Sequence, residues 1–210
     1  MHIGNDTDGT STQDIDNGID LADKGGLVWV KNRSSTNGHV LSSSPNNMMF
    51  SNQDYANSTA TVYIKAFNDN GFTTGPSSGV NYGTNNYVSF TFAKQPGFFD
   101  VVTYSGSNST QAISHNLGCV PGMIIVKRTD TGSSDWIVYH KGLNGGTNPE
   151  PYSLNLNLTS AEASGWLWNQ TAPTATAFTV GGGTGNISTA GGSYVAYLFA
   201  DGDESAAQIF

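Results

Sequence analysis

The residues able to do chemistry are few, and their spacing is unfavourable to catalysis. The four histidines are His2, His39, His115 and His140. His39 and His140 lie near comparable points of the two halves of the chain. Asp135 stands five positions before His140. On a strand, side chains alternate, so an odd separation turns the two to opposite faces. The Gly-x-Ser-x-Gly arrangement of a nucleophile elbow does not occur. Glycan cleavage needs two carboxylates across one bond. The acids here gather at the ends (Asp6, Asp8, Asp14, Asp16, Asp20, then Asp201, Asp203, Glu204) or stand apart (Asp100, Asp130, Asp135, Glu150, Glu162). Cys119 is the single cysteine, so it forms no intrachain disulfide and reads as a small buried hydrophobe. The sequence therefore reads as non-enzymatic, with no catalytic residue.

Two kinds of binding remain open. Asn5-Asp6-Thr7-Asp8-Gly9 resembles part of a calcium loop, but no helices flank it as in an EF-hand. No metal ligand set and no cofactor are assigned. Calcium held by this turn or by residues 201–204 is the one metal the residue types would suit. Carbohydrate is the second kind, because aromatic faces stack on sugars while amides and backbone groups fix hydroxyls. Trp166 and Trp168 alternate within Gly165-Trp166-Leu167-Trp168-Asn169-Gln170, which predicts both indoles on one face of an extended segment. Tyr82 and Tyr152 sit in polar, loop-like surroundings and join the candidate glycan-binding residues.

Composition sets the frame for these residues. Only 11% of the chain is charged and 37% is hydrophobic, both below the usual globular shares. Ser, Thr, Asn and 26 Gly fill the gap, while four Trp, nine Tyr and ten Phe can anchor cores. Disordered chains couple high charge to few aromatics, the opposite of this pattern. The net charge is −8 with only eight Lys plus Arg, which excludes a basic stripe for a phosphate backbone. No apolar run approaches the ~20 residues of a membrane span, so no membrane insertion is expected. The first residues lack the basic and apolar regions of a signal peptide, so assembly in a cytoplasm is expected.

An internal repeat decides the architecture. Thr10–Ile15 is answered by Asn108–Ile113, and Gly26–Lys31 by Gly122–Lys127. Gly71–Gly75 is answered by Ala177–Gly181, and Asn86–Ala93 by Ser193–Ala200. The predicted units are a first module over 1–95, a second over 98–201 and a tail over 202–210. Pro96-Gly97 is a turn signal and leaves almost no linker. Apolar runs at 27–31 and 123–127 suit strands covered on both faces. Strands are also predicted at 61–65, 88–92, 99–104, 136–140, 178–180 and 195–199, with Gly-rich turns between them. Ser160-Ala161-Glu162-Ala163 has the composition for one short helical turn. The fold class is all-β: two tandem β-sandwich, jelly-roll-like modules.

The two modules differ at their starts. Module two opens with the strand at 98–106, whereas module one has only Met1-His2-Ile3-Gly4-Asn5-Asp6 at that place. Its first strand is predicted to be short or missing, leaving a sheet edge that a neighbouring subunit could cover. Met1, Ile3, Ile209 and Phe210 are the candidate assembly contacts, the last two as part of a donated C-terminal segment.

These motifs resemble a repeated module of tailed-phage structural proteins. In the first half the resemblance rests on Gly26 to Ser34, Gly38 to Leu41, Asn70 to Thr73 and Asn86 to Phe92. In the second it rests on Ser114 to Gly118, Pro121 to Arg128, Asp135 to His140, Trp168 to Thr174 and Tyr194 to Ala200. The likeness is to tail-fibre and virion structural proteins of the marine and cyanophage type. It implies a virion location and a structural role as tail fibre, spike or capsid decoration. It implies self-assembly, a trimer for a fibre, alongside other virion proteins. The competing expectation is a host-surface adhesin whose loops bind a glycan.

Overall fold

The computed structural model describes residues 1–183 and 186–202. The chain divides into two compact units, Met1–Lys94 and Gln95–Phe210. Both are built from antiparallel strands, and no α-helix occurs among the described residues.

In the first unit the strands are β1 (His2–Ile3), β2 (Gln13–Asp16), β3 (Gly26–Asn32), β4 (Val40–Ser42), β5 (Asn47–Phe50), β6 (Ser58–Thr59), β7 (Ile64–Asn68), β8 (Gly71–Thr74) and β9 (Asn86–Ala93). A six-stranded sheet runs β1-β9-β3-β4-β5-β6, and a smaller one runs β2-β8-β7. The second unit has β10 (Phe99–Ser105), β11 (Gln111–Ser114), β12 (Pro121–Arg128), β13 (Ile137–His140), β14 (Tyr152–Asn155), β15 (Ala163–Ser164), β16 (Ala177–Val180) and β17 (Ser193–Ala200). Its six-stranded sheet runs β10-β17-β12-β13-β14-β15, and β11 pairs with β16.

Alternation along the strands places each core. In the second unit Ile124 and Val126 of β12 and Tyr194, Ala196 and Leu198 of β17 share one face of the large sheet. Ile113 of β11 with Phe178 and Val180 of β16 packs on that face, and Trp168 completes the cluster. In the first unit Val28, Val30, Val40 and Tyr87 meet Ile64 and Phe72 in the same way. The continuous apolar runs also bury side chains on the opposite face, as Leu27 and Ile125 show.

Within each unit, a matching ring pair joins the first and last strands of the large sheet at one end. Tyr194 stacks on Tyr104, with centroids 5.0 Å apart and planes at 13°, and its hydroxyl accepts the Thr189 N–H at 2.9 Å. Tyr87 stacks on His2 at 5.0 Å and 10°, and its hydroxyl accepts the Tyr82 N–H at 2.9 Å. The Tyr104 hydroxyl donates to Ile187 O at 2.8 Å, and His2 Nε2 meets Val80 O at 2.9 Å. β1 is thus the counterpart of the last two residues of β10. It pairs only at His2↔Tyr87 and Ile3↔Asn86, whereas β10 runs along β17 for seven residues.

Several sequence expectations change. The strand predicted at 61–65 starts only at Ile64, because 61–63 form a turn over Gly75. Ser160–Ala163 makes no helical turn, and Ala163 instead pairs with Ser153 of β14. Among the described residues one 3-10 segment occurs, at Leu143–Gly146, and it is irregular, with Asn144 and Gly145 in left-handed conformations. Met1 and Ile3 are exposed, while Ile209 and Phe210 lie outside the described residues.

Candidate functional site: a polar cleft beside Trp166

Three segments of the second unit converge where the β11–β16 pair ends. They are the loop entering β11, the glycine run leaving β16 and the turn around Trp166. Gln111 pairs with Val180, so Thr110 and Gly181 follow directly at that end. The Gly181 N–H donates to Leu167 O at 2.6 Å. A Cβ on Gly181 would lie 2.0 Å from Trp166 O, and one on Gly182 would lie 2.9 Å from Asn108 O. Glycine is required at both places because backbone approaches so closely.

Between these segments lies an open cleft of about 510 Å³, lined by Asn108, Ser109, Thr110, Trp166, Asn169, Gly181, Gly182 and Gly183. Its walls are pinned. Asn108 N–H donates to Ser188 O and its Oδ1 accepts the Ala190 N–H, both at 2.9 Å. Thr110 Oγ1 donates to Asn169 Oδ1 at 3.2 Å. The Asn169 N–H closes the turn on Trp166 O at 3.0 Å, with Asn169 at φ 52°. Asn is the side-chain-bearing residue that tolerates such a left-handed position best.

The two tryptophans separate. Trp166 is 64% exposed at the cleft, whereas Trp168 is 2% exposed in the core, edge-on to Tyr139 and Phe178. The expectation of one shared face fails because residues 166–170 form a turn, and strand alternation does not apply there. Tyr152 is half-buried on β14 opposite Ser164, and Tyr82 is an exposed residue of the first unit. Neither lines the cleft. Asn108, Thr110, Asn169 and the glycines were not singled out from the sequence. The available signal was the Gly181-Gly182-Gly183 run, whose contacts lie far away along the chain.

The histidines serve the fold. Burial holds the His115 pKa below its ordinary 6.5, opposed by its bond to Thr174 O and by Asp100. Its Nδ1 accepts the Leu117 N–H at 3.3 Å, which leaves Nε2 to donate to Thr174 O at 3.2 Å. His39 N–H donates to Asn52 Oδ1, and Trp136 N–H donates to Asn157 Oδ1. By strand register, Val40 faces Val30 as Ile137 faces Val126, so His39 matches Trp136 and not His140. Asp135 accepts from Asn157 Nδ2 at 2.8 Å. His140 Nδ1 accepts the Gly142 N–H at 3.0 Å.

Asp6 is fully buried, and its Oδ1 accepts the N–H groups of Gly9, Thr10 and Ser11 at 2.9–3.0 Å. It organises the turn that resembled a calcium loop. Asp8 is held below the usual carboxylate range by the Thr10 hydroxyl and N–H. Asp201 pairs with Lys141, and Asp203 and Glu204 lie outside the described residues. Among the described residues, no group of three or more His, Cys, Asp and Glu converges to hold a metal. No helix among them is long and apolar enough to cross a membrane.

No curated protein and no solved structure matches the chain. One family model does, with bounds that take in both units from just after β1 to beyond β17. By that match over residues 4–204, the chain belongs to the family described as Domain of unknown function (DUF7483).

Proposed function

We propose that this chain is a non-enzymatic structural component of a virion, as tail fibre, spike or capsid decoration. In this reading it consists of two tandem β-sandwich modules related by an internal repeat. The observation that carries it is the doubled strand order, first-last-third-fourth-fifth-sixth strand in the large sheet of one unit and its counterpart in the other. Tandem copies of one β-rich unit are how an appendage gains length without new folds. The halves are jelly-roll-like in one respect. First and last strands pair in one sheet, and the second strand pairs with the next-to-last in the other, as β10–β17 and β11–β16 do. They depart from a jelly roll where β13, β14 and β15 continue the large sheet as a meander.

The resemblance of both halves to tailed-phage modules supports a virion location, reached after assembly in the host cytoplasm. The partners are other copies of the chain, as a trimer in a fibre, and further virion proteins. Exposed Met1 and Ile3 are available as contacts. Light scattering on purified protein is expected to give a closed oligomer, and antibodies to the chain are expected to label particles. A strict monomer together with unlabelled particles would remove this reading.

One observation favours a second role on the same scaffold, that of a glycan-binding adhesin. Trp166 presents most of its indole to solvent beside a polar cleft. A glycan array on the purified chain tests that role independently of particle labelling.

A further inference from the structure

Trp166 is not needed where it stands for the turn to form. In the first unit Gly75 follows β8 as Gly181 follows β16, and its N–H donates to Tyr63 O at 2.5 Å. A Cβ on Gly75 would lie 2.7 Å from Val62 O, as one on Gly181 would meet Trp166 O. Val62 therefore occupies the Trp166 position of the same turn-over-glycine device, and it too is exposed, at 40%. The residue two places on is buried in both units, as Ile64 and as Trp168. One unit thus builds the device with a small aliphatic side chain. The other places the largest side chain there and leaves 64% of it in water. Folding gains little from an indole so exposed, since stabilisation follows the apolar area removed from water. A ligand that covers the ring would give it a use that packing does not.

The cleft beside the ring states what that ligand must be. None of its eight lining residues is ionisable, so a charged group would find no counter-ion there. The chain's net charge of −8 further disfavours an anion. Asn108, Ser109, Thr110 and Asn169 supply amide and hydroxyl groups on exposed or half-buried side chains. Gly182 and Gly183 leave backbone accessible between them, with no Cβ to hold a ligand away. An aromatic platform with uncharged donors and acceptors beside it suits a ring with one apolar face and a rim of hydroxyls. The volume lies within the range of about 300–1,000 Å³ typical of small-ligand sites.

We infer that the cleft between Asn108–Thr110, Trp166–Asn169 and Gly181–Gly183 binds a neutral saccharide, one pyranose ring stacking on Trp166. The hydroxyls of that ring pair with the amides of Asn108 and Asn169 and with exposed backbone of the glycine run. The inference rests on the adhesin reading and narrows it to the second unit, because the first carries Val62 at the matching place.

The test uses the full chain on a printed panel of neutral oligosaccharides built from glucose, galactose, mannose and N-acetylglucosamine, with sialylated glycans as a separate arm. The best neutral binder is then titrated by isothermal calorimetry, whose signal does not depend on the indole being replaced. Trp166→Val, which installs the first unit's residue, is expected to weaken binding about tenfold or more. Trp166→Tyr is expected to recover most of the affinity. Both variants should keep the wild-type denaturation midpoint, which separates lost binding from lost folding. Binding that survives Trp166→Val and Asn108→Ala unchanged would overturn this site while leaving the adhesin reading intact. Binding confined to sialylated glycans would overturn the neutral-ligand claim. No signal on either arm would overturn site and adhesin reading together, and the virion proposal would then stand or fall on particle labelling alone.

Discussion

Two indoles two positions apart have opposite duties, and the difference is measurable. Trp168 is enclosed by Tyr139, Phe178 and the β11–β16 pair. Trp168→Ala should cost about 3–5 kcal/mol of unfolding free energy, because its cavity cannot close fully. Trp166→Ala should stay within about 0.5 kcal/mol, as surface changes usually do. Paired denaturant titrations check both values. Equal losses in the two variants would mean that Trp166 is part of the packing. The sequence showed that residues 166–168 carried two aromatics but not that they would part. A period-2 reading assumes extended backbone, and this backbone turns at Asn169 (φ 52°) and Gln170 (φ 48°).

Elements here are held by close backbone approach as much as by side chains. Gly181→Ala would press a methyl group against Trp166 O and should cost about 1–3 kcal/mol. Gly165→Ala meets nothing within 4 Å and should be silent. Thermal melts of the two variants distinguish a glycine fixed by crowding from one that is not. The strongest strands were legible because their patterns are strong: 27–31 falls in β3, 123–127 in β12, 88–92 in β9 and 195–199 in β17. The short strands β4, β5 and β14 were not predicted. Three or four residues of mixed polarity carry no period, and they become strands only by pairing with a longer neighbour. The cleft was illegible for a related reason. Its members lie at 108–110, 166–169 and 181–183, and only the pairing of β11 with β16 and the turn over Gly181 join them. Trp166 alone was visible in advance, as an aromatic among Gly, Asn and Gln.

At the scale of the molecule, each unit owns an apolar core and a large sheet of the same order, yet the units diverge in what they expose. The second has a cleft built around an indole; the first has Val62 at that place and an exposed Phe90 midway along β9. Divergence also reaches the ring stacked on the tyrosine that the two sheets share. Where the second unit uses Tyr104, the first uses His2. Burial pulls the His2 pKa below 6.5, its bond to Val80 O opposing, and Nδ1 is buried with no hydrogen-bond partner in the protein. The folded state therefore favours the neutral ring. The unfolded chain takes up a proton first as pH falls below about 6.5, so stability from His2 is present above that value and drains away through the lower folded value. Burial drives the Tyr104 hydroxyl the other way, far upward, so it holds its proton throughout this range. Mild acid should thus loosen one clasp and spare its twin. The protection of the Gly4 amide, bonded to Asn85 O, measured as its intrinsic over its observed exchange rate, should fall between pH 7 and pH 5, while Gly106, bonded to Gly192 O, keeps its protection. His2→Tyr should abolish the contrast. Of two look-alike clasps, only the one closed by His2 would then register a modest drop in pH.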